Sequence, residues 1–330
     1  MKAFAYSSAT DLDDAVARLS RTGNGNGLIR PLAGGTDLLT LIKADIVAPD
    51  ELVDIKRADG LHDRIEVTDH ETVLGALVTL SQIETHAGLK ERFPALVEAA
   101  ALAASPQLRN MATIGGNLLQ RPRCWYYRSP LFHCWLKGGE ECFARDGENQ
   151  HHALFGRSPC IAAHPSDPAT ALLVLDASVE FRDSSGEQVV SLGDFFAEPE
   201  DGRRTENVLP ADGIVTEVRI PGPQPGARST YLKAMDRKTW AFALVGVAAS
   251  ARLEGGVIRD PRLVLGGVAT IPWRVPGAEA LLDGRPPSAE LFARAADAAL
   301  ADARPLSGNE YKVPLANALI RRALAAVTES

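Results

Sequence analysis

The stretch LIRPLAGGTDLLTLIKADI, residues 28–46, places an apolar run, a Gly-Gly turn and a helical run in immediate succession. Leu28 to Ala33 reads as a buried strand and Asp37 to Ile46 as a helix, with Thr36 placed as its N-cap. The turn between them, Leu32-Ala33-Gly34-Gly35-Thr36-Asp37, has the makings of an anion site. Glycines let a backbone approach a ligand closely, and the free N–H groups and dipole of a helix start favour phosphate. It is not the GxGxxG fingerprint, and a lone Gly-Gly turn also serves as an ordinary strand–helix connection.

Upstream, Thr10 with Asp13 resembles a capping box opening a helix in DLDDAVARLS, where Leu12, Ala15, Val16 and Leu19 share one face. Gly23-Asn24-Gly25-Asn26-Gly27 breaks that helix. Downstream, Leu52 to Ile55 reads as a second strand, so residues 1–55 form a small βαβ unit. Strands at 65–69 and 72–80, helices at 81–89 and 94–105, and strands at 177–183 and 214–220 describe a larger α+β segment. PGPQPGA, residues 221–227, is the clearest linker. Beyond it, strands at 231–237, 242–254 and 263–269, then helices around 288–302 and 313–327, describe a three-stranded antiparallel sheet backed by helices.

A chain of 330 residues suggests two or three domains, because single cores stop growing at roughly 250–300 residues. The apolar share of 45% and charged share of 23% are those of an ordinary globular protein. A net charge of −7 without a basic tract argues against nucleic acid. No apolar run approaches the roughly 20 residues that span a bilayer. MKAFAYSSATDLDDA lacks the apolar core of a signal peptide, so the expected compartment on its own sequence is the cytoplasm.

A second glycine turn changes the weight of the first. Arg109-Asn110-Met111-Ala112-Thr113-Ile114-Gly115-Gly116-Asn117 again joins a helix to an apolar stretch through paired glycines. Two such loops from separate lobes can hold a dinucleotide between them. PLAGGTD together with RNxATIGGN resembles the FAD-binding subunit of the xanthine dehydrogenase/molybdenum hydroxylase family, over nearly the whole chain. The resemblance implies an α+β fold: a two-lobed FAD-binding domain of the vanillyl-alcohol-oxidase/PCMH type, lobe 1 at 1–57 and lobe 2 at 58–223. A flavoprotein C-terminal domain at 224–330 follows. It also implies that Leu32, Ala33, Gly34, Gly35, Thr36 and Asp37 wrap the FAD pyrophosphate, and that Ala112, Thr113, Gly116 and Asn117 line the flavin side. Ser166, Asp167, Val215 and Lys233 match later FAD contacts. Each has a plainer reading: Asp167 as the cap of the helix at 168–177, Lys233 as a solvated strand lysine. Asp37 beside a pyrophosphate needs an account, either a ribose hydroxyl or backbone N–H groups. His151, His152 and His164 read as surface or hydrogen-bonded loop residues rather than ligands.

All four cysteines, Cys124, Cys134, Cys142 and Cys160, lie between Asn117 and Ser166. Four random positions would cluster so tightly about once in two hundred tries, so the grouping is a signal. The x9, x7 and x17 spacings have neither the CxxC knuckle of structural zinc sites nor the ferredoxin CxxCxxC run. Spacing alone leaves both metals open. The resemblance chooses: RCWYYR…CWLKGGEEC…CIAAHPSD looks like the inserted 4Fe–4S loop of aldehyde oxidoreductase-type subunits. Four thiolates complete one such cluster. Trp125, Tyr126, Tyr127, Phe132 and Trp135 would give it an apolar shell.

The resemblance further implies an electron-transfer subunit of a molybdenum-dependent dehydrogenase acting on aldehyde or aromatic substrates. The molybdopterin cofactor and 2Fe–2S clusters would then sit on a large and a small partner chain, in a heterotrimer or its dimer. A partner's export signal could carry the complex to the periplasm. The rival readings are a stand-alone flavin oxidoreductase of the same fold and a zinc-stabilised, non-redox assembly subunit.

Overall fold

A computed structural model describes residues 2–23 and 27–329 of the chain. The first unit runs β1 (Ala5–Ser8), α1 (Leu12–Leu19), β2 (Ile29–Leu32), α2 (Leu38–Lys43) and β3 (Glu51–Asp54). Its strands form a parallel sheet of order β1-β3-β2. β1 was not expected: its AYSS sequence is mostly exposed and carries no apolar alternation. Pro31 is tolerated in β2 because β2 is an edge strand, where its missing N–H breaks no ladder. The cap of α1 is Asp11, whose side chain accepts from the Asp14 N–H, while the Asp14 carboxylate accepts from the Thr10 N–H. The expected Thr10/Asp13 box is thus displaced by one residue. Of the expected Gly-Asn breaker, residues 24–26 lie outside the described residues, and α1 has already ended at Leu19.

The second unit begins with β4 (Ile65–Val67), β5 (Glu71–Gly75), α3 (Leu80–Thr85), α4 (Ala87–Arg92), α5 (Pro94–Leu102), α6 (Pro106–Arg109) and α7 (Ile114–Leu118). After the cysteine segment come α8 (Asp167–Val174), β6 (Ser178–Asp183), β7 (Gly186–Ser191), α9 (Leu192–Phe195) and β8 (Ile214–Pro221). The sheet order is β4-β5-β8-β6-β7, and every pairing is antiparallel. The strand expected at 72–80 stops at Gly75, because Thr79 and Gln82 form a reciprocal capping box that starts α3. The helix expected at 81–89 is two helices, divided at His86, whose backbone is extended.

The third unit holds β9 (Ala227–Ala234), β10 (Val245–Glu254), β11 (Val257–Gly266) and β12 (Trp273–Arg274). Three helices follow: α10 (Pro276–Leu282), α11 (Ala289–Ala299) and α12 (Lys312–Thr328). Its antiparallel sheet has order β12-β11-β10-β9, one strand more than expected; β12 spans two residues, too short for a pattern.

Helices α5 and α8 lie between the second and third sheets, which is why they are apolar nearly all round. Their core includes Leu96, Leu172, Phe181, Val218, Tyr231 and Val264. On the opposite face of β10, Val245, Val247 and Ala249 pack under α10, α11 and α12. Covered on both faces, β10 is buried without a break from Val245 to Ala251. Each fully buried Leu or Val contributes about 1.5–3 kcal/mol, so this sandwich fixes the position of α8, and α8 carries part of the site.

Candidate flavin and cysteine site

The first glycine turn leaves β2 and enters α2. Gly35 has φ +70°, a left-handed conformation that a side chain would strain. The N-cap of α2 is Asp37, not Thr36, and its side chain does not cap the helix. Asp37 instead reaches the cysteine segment. Its Oδ2 accepts from the Arg121 N–H at 2.9 Å, and its Oδ1 accepts from the guanidinium groups of Arg123 and Arg128 (2.7 Å for Arg128). Of the two accounts open for this acid, a backbone N–H, that of Arg121, is among its partners, and two arginines join it. The anion at this turn is thereby neutralised within the protein.

The second turn lies between α6 and α7. Arg109 anchors it with two hydrogen bonds to the Glu84 carboxylate and one to the Ala103 carbonyl. Thr113 caps α7 by accepting from the Gly116 N–H. Ile114 and Gly115 donate their N–H groups to Val78 and Ala76, tying the turn to the chain that follows β5. The two turns touch: a Cβ on Gly34 would sit 1.8 Å from the Met111 carbonyl oxygen. Beside Gly116, by contrast, only Thr113 Oγ1 lies near.

From the second turn, hydrogen bonds run on through residues distant in sequence. Asn117 Oδ1 accepts from Ser166 Oγ, and that oxygen in turn accepts from the Ala169 N–H, so Ser166, not Asp167, caps α8. Asp167 opens the helix and is buried. It accepts from Lys233 Nζ at 2.8 Å and from the Tyr231 hydroxyl. Lys233 is no solvated lysine: its side chain is 1% exposed, and it also donates to the Leu102 carbonyl. Burial raises the Asp167 carboxyl, and Lys233 and Tyr231 pull it back. Asn117, Ser166, Asp167 and Lys233 therefore form one connected row. The others fall around it. Leu32 packs with Ile42 and Leu52, Ala33 against the core of the first unit, and Ala112 and Val215 in the main core. The Ala112 carbonyl accepts from the Leu80 N–H.

All four cysteine side chains line one small void of about 10 Å³, walled otherwise by Tyr126, Tyr127, Trp135, Leu136, Phe143 and Ala162. None is disulfide-bonded. Among the described residues, no three His, Cys, Asp or Glu converge closely enough to hold a metal ion. Burial pushes the Cys124 thiol up to about 11 and the Cys160 thiol higher still. N–H groups point at these sulfurs: those of Tyr126 and Tyr127 at Cys124, and that of Ala162 at Cys160. The segment is braced from outside. Arg204 donates to the Trp135 and Gly139 carbonyls and lies 4.7 Å over the Trp135 ring; Arg121 pairs with the buried Glu206 at 3.1 Å.

A larger cleft, about 460 Å³, adjoins the void. Its walls include Arg123, Trp125, His164, Trp240 and Phe242, and Cys124 lines both cavities. His151 is exposed, but His152 and His164 are buried. Burial holds His152 down to about 4 and His164 to about 3, so both are neutral. The surface reading of these two is corrected; the hydrogen-bonded one stands. Sequence reasoning passed over Arg121, Arg123 and Arg128, although three arginines around one cysteine in RPRCWYYR were a visible signal.

Two adjoining glycine turns, a buried row of polar groups between sheets and a second helical sheet unit are the frame of a flavoprotein chain. Residues 2–223 match the FAD binding domain in molybdopterin dehydrogenase, and residues 230–327 match the CO dehydrogenase flavoprotein C-terminal domain. The chain belongs to this family, the FAD-binding subunits of molybdenum hydroxylase-type dehydrogenases. It is 36% identical to the aldehyde oxidoreductase FAD-binding subunit PaoB of Escherichia coli (strain K12), covering 98% of each chain. It is 30% identical to the nicotinate dehydrogenase FAD-subunit of Eubacterium barkeri, over 77% of this chain and 72% of that one. Among solved structures, carbon monoxide dehydrogenase from Hydrogenophaga pseudoflava is similar at TM-score 0.78 and 26% identity, over 99% of this chain and 97% of that one. No helix among the described residues is long and apolar enough to cross a membrane.

Proposed function

We propose that this chain is the electron-transferring flavoprotein subunit of a molybdenum-dependent dehydrogenase. In this reading FAD lies across the two glycine turns, and Cys124, Cys134, Cys142 and Cys160 hold one 4Fe–4S cluster beside it. The observation that carries the reading is that all four cysteines, separated by 9, 7 and 17 residues, line one void, and that Cys124 also lines the adjoining cleft. The donor set fits: the wall is otherwise apolar, and the buried Cys124 and Cys160 thiols, held protonated by desolvation, give up their protons when a metal replaces them. The void is small, so the aromatic wall has to move outward around a cluster.

Bound FAD and cluster would supply the redox chemistry, relaying electrons from a small 2Fe–2S partner to an external acceptor while a large molybdopterin partner oxidises the aldehyde or heteroaromatic substrate. This chain's own residues do the positioning. Leu32 to Asp37 hold the cofactor pyrophosphate, and Ala112, Thr113, Gly116 and Asn117 line the flavin side, with Ser166, Asp167, Val215 and Lys233 as further contacts. The Asp37–Arg123 and Asp37–Arg128 pairs keep the cysteine segment in register with the first turn. The division into residues 1–57, 58–223 and 224–330 belongs to the same reading, as does a heterotrimer or its dimer. The compartment would be the cytoplasm, or the periplasm by co-export with a signal-bearing partner.

The deciding experiment is the visible spectrum and metal content of the anaerobically purified protein. About four irons per chain with bound flavin is the expected result. One zinc and no flavin would replace this reading with a zinc-stabilised assembly subunit, and substrate-driven flavin reduction by the isolated chain would make it a stand-alone oxidoreductase.

A further inference from the structure

Residues 308–312 of the C-terminal unit grip the cysteine segment around His152. Asn309 Nδ2 donates to the carbonyls of His152 and Ala153, both at 3.1 Å, and Lys312 Nζ donates to the His152 carbonyl at 2.9 Å and to Gly267 at 2.8 Å. The Gly308 N–H donates to Asn149 Oδ1 and the Tyr311 hydroxyl to the Gln150 carbonyl. A fully buried lysine bonded only to carbonyls is a costly feature, since desolvating a charge without an acid partner is unfavourable. What it fixes is the backbone of His152, whose Nε2 lies 3.2 Å from Cys124 Sγ.

The imidazole has two ring nitrogens to account for, and only Nε2 has a polar contact. Nδ1 is buried with no partner, and the ring is wedged edge-on against Trp125, centroids 5.7 Å apart. A sulfur bound to iron has no proton to give, so in the contact with Nε2 it must be the acceptor. A neutral ring then carries its proton on Nε2 and leaves Nδ1 bare, which avoids a buried, unpaired N–H. Hydrogen bonds to ligand sulfurs stabilise the reduced, more negative state of an iron–sulfur cluster and raise its potential.

We infer that His152 is a positioning residue for electron transfer: it donates a hydrogen bond from Nε2 to the Cys124 sulfur, held there by Asn309 and Lys312 of the C-terminal unit, and so sets the potential of the group held by the four cysteines. The inference rests on the four-cysteine reading proposed above and adds a determinant of potential outside the ligand set.

The test is a mediated redox titration of the purified full chain, followed by electron paramagnetic resonance, with iron counted in the same samples. His152→Phe should keep its iron. At the wild-type midpoint its reduced-to-oxidised ratio should fall about tenfold, which for one electron is a midpoint about 59 mV lower. His152→Gln, which restores a side-chain N–H, should recover part of the shift, and Lys312→Met should move the midpoint the same way by less. Iron-loaded His152→Phe with the wild-type midpoint would overturn the inference and leave the ligand assignment standing. If His152→Phe fails to load iron, Lys312→Met decides, and an unchanged midpoint there overturns it. Wild-type protein that binds no iron removes the ligand assignment and this inference together.

Discussion

Gly34 of the first turn lies against the Met111 carbonyl of the second, with no room for a Cβ between them. The glycine is therefore needed where the lobes meet, before any ligand enters. Gly34→Ala should destabilise the flavin-free protein by about 2–4 kcal/mol, because the added carbon meets backbone rather than a movable side chain. Gly116→Leu should behave in the opposite way. Its surroundings are open except for Thr113 Oγ1, so the apoprotein should keep its stability within about 1 kcal/mol while flavin occupancy falls. Urea unfolding of both apoproteins, set beside their flavin content, separates the two roles. Equal behaviour of the variants would mean that the turns do not differ in this way.

Asp37 holds Arg121, Arg123 and Arg128 by both of its oxygens. Asp37→Ala leaves two partly buried guanidinium groups without their partner. A fully buried pair would cost 3–5 kcal/mol, and partial exposure reduces this to about 2 kcal/mol. The loss should localise: hydrogen exchange of residues 121–128 should speed up while the C-terminal sheet stays protected. Uniform deprotection would refute a local tether.

Each cysteine-to-serine variant should lower iron and flavin together. The segment from 118 to 166 has almost no periodic structure, and its ends lead into Asn117 and Ser166. Without its metal it should disorder and loosen both. Metal analysis with flavin absorbance on one sample checks this; full flavin occupancy in an iron-free variant would show the two sites to be independent.

His164 is buried against Phe196, ring centroids 5.0 Å apart, and its pKa falls from 6.5 to about 3. The folded state thus binds fewer protons than the unfolded one between those values. Stability is full above pH 6.5 and is lost as the pH falls toward 3, at up to about 1.4 kcal/mol per pH unit. His164→Phe keeps the ring packing and removes the proton, so its urea midpoint should fall less than that of the wild type between pH 6.5 and 5. Parallel curves would assign the acid sensitivity elsewhere, with His152 the next group to replace.

The two glycine turns, the linker and the long strands of the C-terminal sheet were legible because each rests on contiguous residues. β1, β7, β12 and α10 were not: they are short or exposed, and only neighbouring chain holds them in place. The caps at Thr10 and Thr36 were misplaced by one residue: the Asp11 side chain caps α1 in place of Thr10, and at α2 Asp37 holds the N-cap position with its side chain turned to the arginines. Long-range pairing was beyond reach. Lys233 is buried against Asp167 of α8, sixty-six positions earlier, and Asp37 is neutralised by arginines more than eighty positions away. A local reading of either residue points to solvent or to ligand, and the fold supplies a third answer.

The contacts of Asn309 and Lys312 with His152 also fix an order in time. The cysteine void is walled by residues 124–162, yet the backbone beside Cys124 is secured by Asn309 and Lys312, 157 and 160 positions beyond His152. That wall cannot close until the chain through Lys312 has been made. In the reading proposed above, loading waits for α12, and a product truncated before α12 would carry every cysteine and no settled place to use them.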